Sequence, residues 1–433
     1  MNPTLGMIGF AVLFILLFLG VPIAFGICIV GLAGFALLAT LGQSISGFGV
    51  TAFTSTASYV LTCIPLFIMM GQFAFQSGVT RDSYDMIHKW VGHLPGGLTI
   101  ATIFAAAAIG AVTGSSAAAV STLCIIALPE LDRYKYDKVM SCGAIASAGT
   151  LGIMIPPSIP MVLYGVLTEQ SIGKLFIGGI IPGILMAILF SAMVYVRAKR
   201  NPAIAPPGPR YSWRERVTSL WKVWGVLSLF VLVIGGMFLG WFTPTEGAGI
   251  GACGAFLLLV FLRKMNRQVL TTTLGETLQL TAMMVMILIG STLFSNFMAI
   301  TGLSNSFTDW MLSLGVNRYW ILLIITVTYL FLGCLMDVIG MIVLTVPLFY
   351  PLMVKLGFDP IWFGIFVTLM IQISLITPPV GTNVIIMRRL SGLPMGQIFG
   401  AVGWFFIMSL LFTAILILFP GLATWLPNIV VSK

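Results

Sequence analysis

The 433 residues are 59% hydrophobic and only 8% charged, with a mean hydropathy of +1.10. A soluble domain of this length needs a far larger polar surface, so a single large soluble core is excluded. The net charge of +9 does not mark a nucleic-acid binder. The basic residues sit in short connections instead: Arg133, Lys135 and Lys138; Arg197, Lys199 and Arg200; Arg210, Arg214, Arg216 and Lys222; Arg263, Lys264 and Arg267; Arg388 and Arg389. That is the positive-inside pattern of a bacterial inner-membrane protein, and it assigns these loops to the cytoplasm.

Along the chain, the first apolar stretch has no basic segment before it and no A-x-A-like site after it, which predicts a membrane segment rather than a cleaved signal. Spans are expected at about 4–20, 21–41 and 47–72. An amphipathic helix over 80–94 places Tyr84, Ile87, Val91 and Leu94 on one face, to lie in the interface plane or pack on protein. A Gly-rich apolar stretch at 97–128 carries Thr113-Gly114-Ser115-Ser116 at its middle. A straight span would bury these residues in hydrocarbon, so a re-entrant hairpin with them at its tip is expected. A helix over 138–168, broken between Gly149 and Ser158, and a span at 174–196 complete a first unit, 1–200.

A cytoplasmic linker is expected over 201–221, and then the same order recurs in 222–433. Spans at about 222–243, 245–262 and 276–299 precede an amphipathic helix over 303–314 carrying Leu303, Phe307, Trp310, Met311 and Leu314. A hairpin at 319–354 follows, then a helix over 361–387 broken between Thr377 and Asn383, and a last span at 396–420. Matches in order support the repeat. Phe18-Leu19-Gly20 with Pro22 answers Phe238-Leu239-Gly240 with Pro244, and Gly78 answers Gly302. Pro129 answers Pro347, Pro156-Pro157 answers Pro378-Pro379, and Gly173-x-x-Phe176 answers Gly396-x-x-Phe399, all at an offset of about 218 to 224 residues. Counted through the cytoplasmic loops, the two units have opposite orientation. Transporters built from such inverted repeats place their sites at the midplane, where discontinuous helices meet.

The candidate site residues fall at the hairpin tips and breaks. Glycines and prolines there end helices and free carbonyls that, with Ser and Thr hydroxyls, suit Na⁺, while helix N-termini suit a carboxylate. Asp337, in Gly333-Cys334-Leu335-Met336-Asp337, is the one acid deep in an apolar stretch of the second unit, and an intramembrane carboxylate is functional by default. Glu246 and Glu276 lie near expected helix ends, where a first-turn acid is ordinary. The run Gly249-Ile250-Gly251-Ala252-Cys253-Gly254 fits a dinucleotide motif but lies in a span, where close helix packing explains it better. The six cysteines are scattered in apolar segments, so neither a disulfide nor zinc is expected. No acid, base or nucleophile set for an enzyme is readable, and no organic cofactor is expected.

With Gly114-Ser115-Ser116-Ala117-Ala118, Ile155-Pro156-Pro157-Ser158, Gly333-x-x-x-Asp337 and Thr377-Pro378-Pro379-Val380-Gly381, the chain resembles the large membrane (M) subunit of tripartite ATP-independent periplasmic (TRAP) transporters over its whole length. The resemblance implies an all-α inverted repeat with a scaffold and an elevator-type transport domain. It also implies Na⁺ coupling, a small four-helix membrane subunit (Q), and a periplasmic substrate-binding protein (P) that delivers an organic acid. By position, one Na⁺ site would use Gly114, Ser115 and Ser116 with Gly149, Gly152 and Pro156. A second would use Gly333 and Asp337 with Thr377, Pro379 and Gly381. Two such sites imply at least two ions. Substrate would lie near Ser116, Ser158, Asp337, Thr382 and Asn383. A sialic acid or related sugar acid is favoured over a C4-dicarboxylate. The alternatives are a stand-alone sodium–dicarboxylate symporter of the same architecture, which would need no binding protein, and an intramembrane enzyme or channel.

Overall fold

The computed structural model describes residues 2–430, which form helices and connections with no strand among the described residues. The first unit contains α1 (Pro3–Phe18), α2 (Ile23–Leu38), α3 (Leu41–Thr56), α4 (Cys63–Gln76) and α5 (Val79–Val91). It continues with α6 (Gly97–Thr113), α7 (Ser116–Arg133), α8 (Lys138–Gly149), α9 (Ile159–Thr168) and α10 (Ile172–Arg200). The second begins with α11 (Trp213–Phe238), α12 (Pro244–Phe261), α13 (Arg267–Thr301), α14 (Leu303–Ser313) and α15 (Arg318–Leu332). It ends with α16 (Val338–Lys355), α17 (Pro360–Ser374), α18 (Thr382–Ser391), α19 (Met395–Leu418) and α20 (Gly421–Val430).

Among the described residues, six helices are long and apolar enough to cross a membrane, the longest being Arg267–Thr301 with 35 residues. Several helices flanking the tips and breaks are shorter, although α16, which follows the second tip, is one of the six: α9 has 10 residues, α15 and α17 have 15 each, and α6 has 17. At 1.5 Å per residue, each falls short of a hydrocarbon core about 30 Å thick. Their ends therefore meet inside the protein rather than at its two surfaces.

Local chemistry sets the boundaries. Gly78 and Gly302, with φ of +78° and +76°, reverse the chain between a long helix and the amphipathic α5 or α14. A left-handed residue there favours glycine. Two departures from expectation concern helix boundaries in the first unit and the linker. First, α11 begins at Trp213, because Ser212 and Glu215 form a capping box inside the stretch expected as linker. The remaining linker is stitched down: Asp137 N–H donates to Ile204 O (2.8 Å), and Gly208 N–H donates to Gly92 O (2.9 Å). Second, the span expected over 47–72 is interrupted. Helix α3 stops at Thr56, and a 3-10 turn at Tyr59–Thr62 leads into α4. The matching helix in the second unit, α13, runs unbroken.

Tyr84 and His88 of α5 are buried against the neighbouring helices, so this amphipathic helix packs on protein along that face. In α14, Met311 is buried while Trp310 is exposed, as is Leu314 just after the helix.

The two units interlock reciprocally. Helix α2 of the first packs along α13 of the second, and α4 of the first along α12 of the second. Deeper in, α7 meets α18 and α16 meets α9, again with the roles exchanged. Such exchange is what a pseudo-twofold axis between two copies produces. Glycines bring these helices close: a Cβ at Gly31 of α2 would lie 2.9 Å from the Phe294 nitrogen, and one at Gly251 of α12 would lie 2.4 Å from the Met70 sulfur. Gly251 belongs to the dinucleotide-like run, which serves helix packing here.

The same correspondence governs the tips. A Cβ at Gly110 of α6 would lie 2.0 Å from the Gly152 Cα, and one at Gly333 would lie 2.0 Å from the Ser374 Cβ. The pairs differ by 223 (333 − 110) and 222 (374 − 152) positions. Each hairpin's first helix thus rests on the break of its own unit, at a point that excludes a methyl group. In the first unit the neighbour is backbone and cannot rotate away. Gly110→Ala is expected to destabilise the protein by about 2–3 kcal/mol as an overpacked contact, read as a lower melting temperature in detergent. An unchanged melt would contradict the close approach.

Candidate substrate and ion cavity

Each tip is built by a helix start. Gly114, with φ of +61°, ends α6, and Ser115 caps α7, its Oγ accepting from the Ala118 N–H (3.4 Å). In the second unit Asp337 caps α16, its Oδ1 accepting from the Gly340 N–H (3.2 Å). Ser115 and Asp337 are equivalent at an offset of 222 (337 − 115), so the repeat replaces a neutral cap by an acidic one. The breaks also correspond: Pro156-Pro157 and Pro378-Pro379 both carry cis peptide bonds.

The tips converge on one cavity of about 510 Å³. Its wall includes the first turns of α7 (Ser115, Ser116), α16 (Asp337, Val338) and α18 (Thr382, Asn383). Three helix N-termini therefore line one space, where their partial positive charge favours an anion. Helices α4 and α13 also line the cavity and contribute Gln72 and Glu276. The cavity's charged lining residues are Asp337 and Glu276, and no lysine, arginine or histidine lines it.

Of the residues expected at the site, Gly114, Ser115, Ser116, Asp337, Thr382 and Asn383 line this cavity. Asp337 and Thr382 are exposed to it. Asn383 is buried and committed to a different bond set: its Nδ2 donates to Ser116 Oγ and to Ala146 O, both at 2.8 Å. The Ser116 hydroxyl donates to Asn383 Oδ1 at 3.1 Å. These bonds tie the first tip to the second break and to α8, across the two units.

Ser158 departs from its expected place at the substrate. It is 1% exposed, caps α9, and donates its hydroxyl to Ile153 O at 2.5 Å. It faces a small apolar cleft with Ile64, Phe67 and Thr113 rather than the large cavity. The reason is its N-cap position, which turns the hydroxyl back onto the break. Gly149, Gly152 and Pro156 are buried behind the first tip, with Gly149 against Val120 and Gly152 against Gly110. Thr377 bonds Ile373 O at 2.8 Å, Pro379 is exposed, and Gly381 adopts a φ of +50° beside Phe399. Gly333 is buried against Ser374. These residues shape the breaks without lining the cavity. Gln72, Ser121 and Thr122 belong to the cavity without a sequence signal, because single polar residues inside apolar helices are common.

Glu246 and Glu276 separate in the structure. Glu246 sits in the first turn of α12, paired with Thr243 in a capping box. Glu276 is not a first-turn acid, because α13 begins at Arg267, and its side chain faces the cavity.

The model of the tripartite ATP-independent periplasmic transporter family, DctM component, matches residues 10–422. The chain is 37% identical over 404 residues to the C4-dicarboxylate TRAP transporter large permease protein DctM of Pseudomonas aeruginosa, covering 92% of this chain and 93% of that protein. It is 30% identical over 415 residues to the sialic acid TRAP transporter large permease protein SiaM of Vibrio cholerae, covering 96% of each. Among solved structures, the Alcanivorax borkumensis YdaH transporter, whose topology is described as unusual, aligns with a TM-score of 0.63 over 90% of both chains at 15% identity, a likeness of fold alone.

Proposed function

Since the chain belongs to the DctM component family of tripartite ATP-independent periplasmic transporters and is a multi-pass inner-membrane protein, we propose that it is the subunit that moves an organic acid inward, coupled to Na⁺. Transport, rather than catalysis, is the activity its relatives' names describe. The observation that carries the reading is the cavity: three helix N-termini for a carboxylate, hydroxyls and an acidic cap for cations, and no basic side chain. An anion in such a space needs cations brought with it, which is what Na⁺ symport supplies. Asp337 and the neighbouring tip oxygens would hold one ion, and the Gly114–Ser116 tip with the first break the other. The substrate would lie against Ser116, Thr382 and the first turn of α16.

An elevator motion fits the layout. The cavity is lined both by the tips and by α4 and α13, so movement of the tip-bearing helices against those two would carry the cavity's contents. A periplasmic binding protein would deliver the substrate, and a small membrane subunit would cover exposed apolar helix faces. The greater identity to a C4-dicarboxylate permease than to a sialic acid permease makes C4-dicarboxylates the first substrates to test. The test is uptake by vesicles containing this chain and its small subunit, with the binding protein present or omitted and with Na⁺ or K⁺ outside. Uptake is expected only with both the binding protein and Na⁺. Full uptake without the binding protein would mark a stand-alone symporter instead.

A further inference from the structure

Glu276 lies nine residues into α13 from Arg267, about 14 Å along the helix axis. The basic cluster Arg263, Lys264 and Arg267 places that end of α13 at the cytoplasm. Its carboxylate makes no hydrogen bond or ion pair among the described residues, and it is exposed to the cavity. Asp337, the other acid lining the cavity, is held as the cap of α16. An unpaired carboxylate with no cation near it is a poor neighbour for an organic anion. Both charges would share the one cavity of about 510 Å³.

We propose that Glu276 is a release residue: from the α13 wall it raises the free energy of the bound organic anion, so that the anion leaves the cavity toward the cytoplasm. The inference rests on the reading of the cavity as an anion-transport site and adds a role for the α13 wall. At an effective dielectric of about 20, a like charge within about 8 Å changes an affinity by roughly tenfold or more, and partial solvent exposure reduces that to a few-fold. Such repulsion weakens binding and speeds departure together.

The test uses vesicles containing the chain with its small subunit, the binding protein and a C4-dicarboxylate. Glu276→Gln is expected to lower KM by about three- to tenfold and to lower kcat, with exchange of internal for external substrate less affected than net uptake. Glu276→Asp, which keeps the charge, should restore kcat. A purely structural role would lower the melting temperature and leave KM unchanged. An unchanged KM in Glu276→Gln overturns the proposal, and so does a raised KM, which would mean that the carboxylate holds a cation. If the wild-type protein itself shows no Na⁺-dependent uptake, the reading of the cavity fails rather than the role of Glu276.

Discussion

Asp337→Asn is expected to leave the protein folded while lowering Na⁺-driven uptake by about 10- to 100-fold, the range for losing one interaction with a charged group. The variant separates two duties of one side chain. As the cap of α16, Asp337 accepts the Gly340 N–H, and asparagine caps a helix as well as aspartate does. The melting temperature should therefore hold. What disappears is the negative charge at the cavity wall, where the equivalent cap in the first unit, Ser115, is neutral. Asp337→Ala removes cap and charge together and should cost about 1 kcal/mol of stability besides. Equal loss of stability in both variants would make Asp337 a structural residue. Wild-type uptake in Asp337→Asn would remove it from the ion site.

Asn383→Ala is expected to affect both folding and transport. Its amide nitrogen holds Ser116 Oγ and Ala146 O, and all three residues are buried. Deleting it strands a hydroxyl and a carbonyl in the protein interior. The expected destabilisation is about 2–4 kcal/mol, and uptake should fall at least about tenfold as the first tip loses its tether to the second break. Ser116→Ala removes only one partner and should be milder. Because the two residues share bonds, the double variant should fall short of the summed single effects by about 1 kcal/mol. Additive effects would show that the tie carries no coupling between the units.

Much of this architecture is written in Gly, Pro and charge spacing. The tips at Gly114–Ser116 and Gly333–Asp337 declare themselves because polar and helix-ending residues interrupt apolar runs that are otherwise long enough to span. The breaks at Pro156-Pro157 and Pro378-Pro379 do so for the same reason. Other features leave no local mark. The interruption between α3 and α4 falls at Thr54-Ser55-Thr56-Ala57-Ser58, a run with no charge, glycine or proline to mark a break, so a span-length reading passes through it. The start of α11 depends on a capping box, Ser212 with Glu215, inside a segment whose charges suggest a loop.

The site leaves even less of a mark in the sequence. Ser116 and Asn383 are 267 positions apart, and nothing in either neighbourhood announces their pairing. Ser158 has the chemistry of a substrate ligand but spends it on Ile153 and its own helix. Glu276 resembles a helix-end acid in the sequence because α13 starts earlier than the apolar run does, at Arg267 among polar residues. In each case residue type was informative, while the direction a side chain faces came only from packing.

The most direct measurement is the simultaneous flux of radiolabelled Na⁺ and radiolabelled substrate into vesicles holding this chain, its small subunit and the binding protein. The account predicts that the two enter together, with at least two Na⁺ for each organic anion if both proposed tip sites are filled, and that Asp337→Asn lowers both fluxes. Substrate accumulating with no accompanying Na⁺ would contradict it.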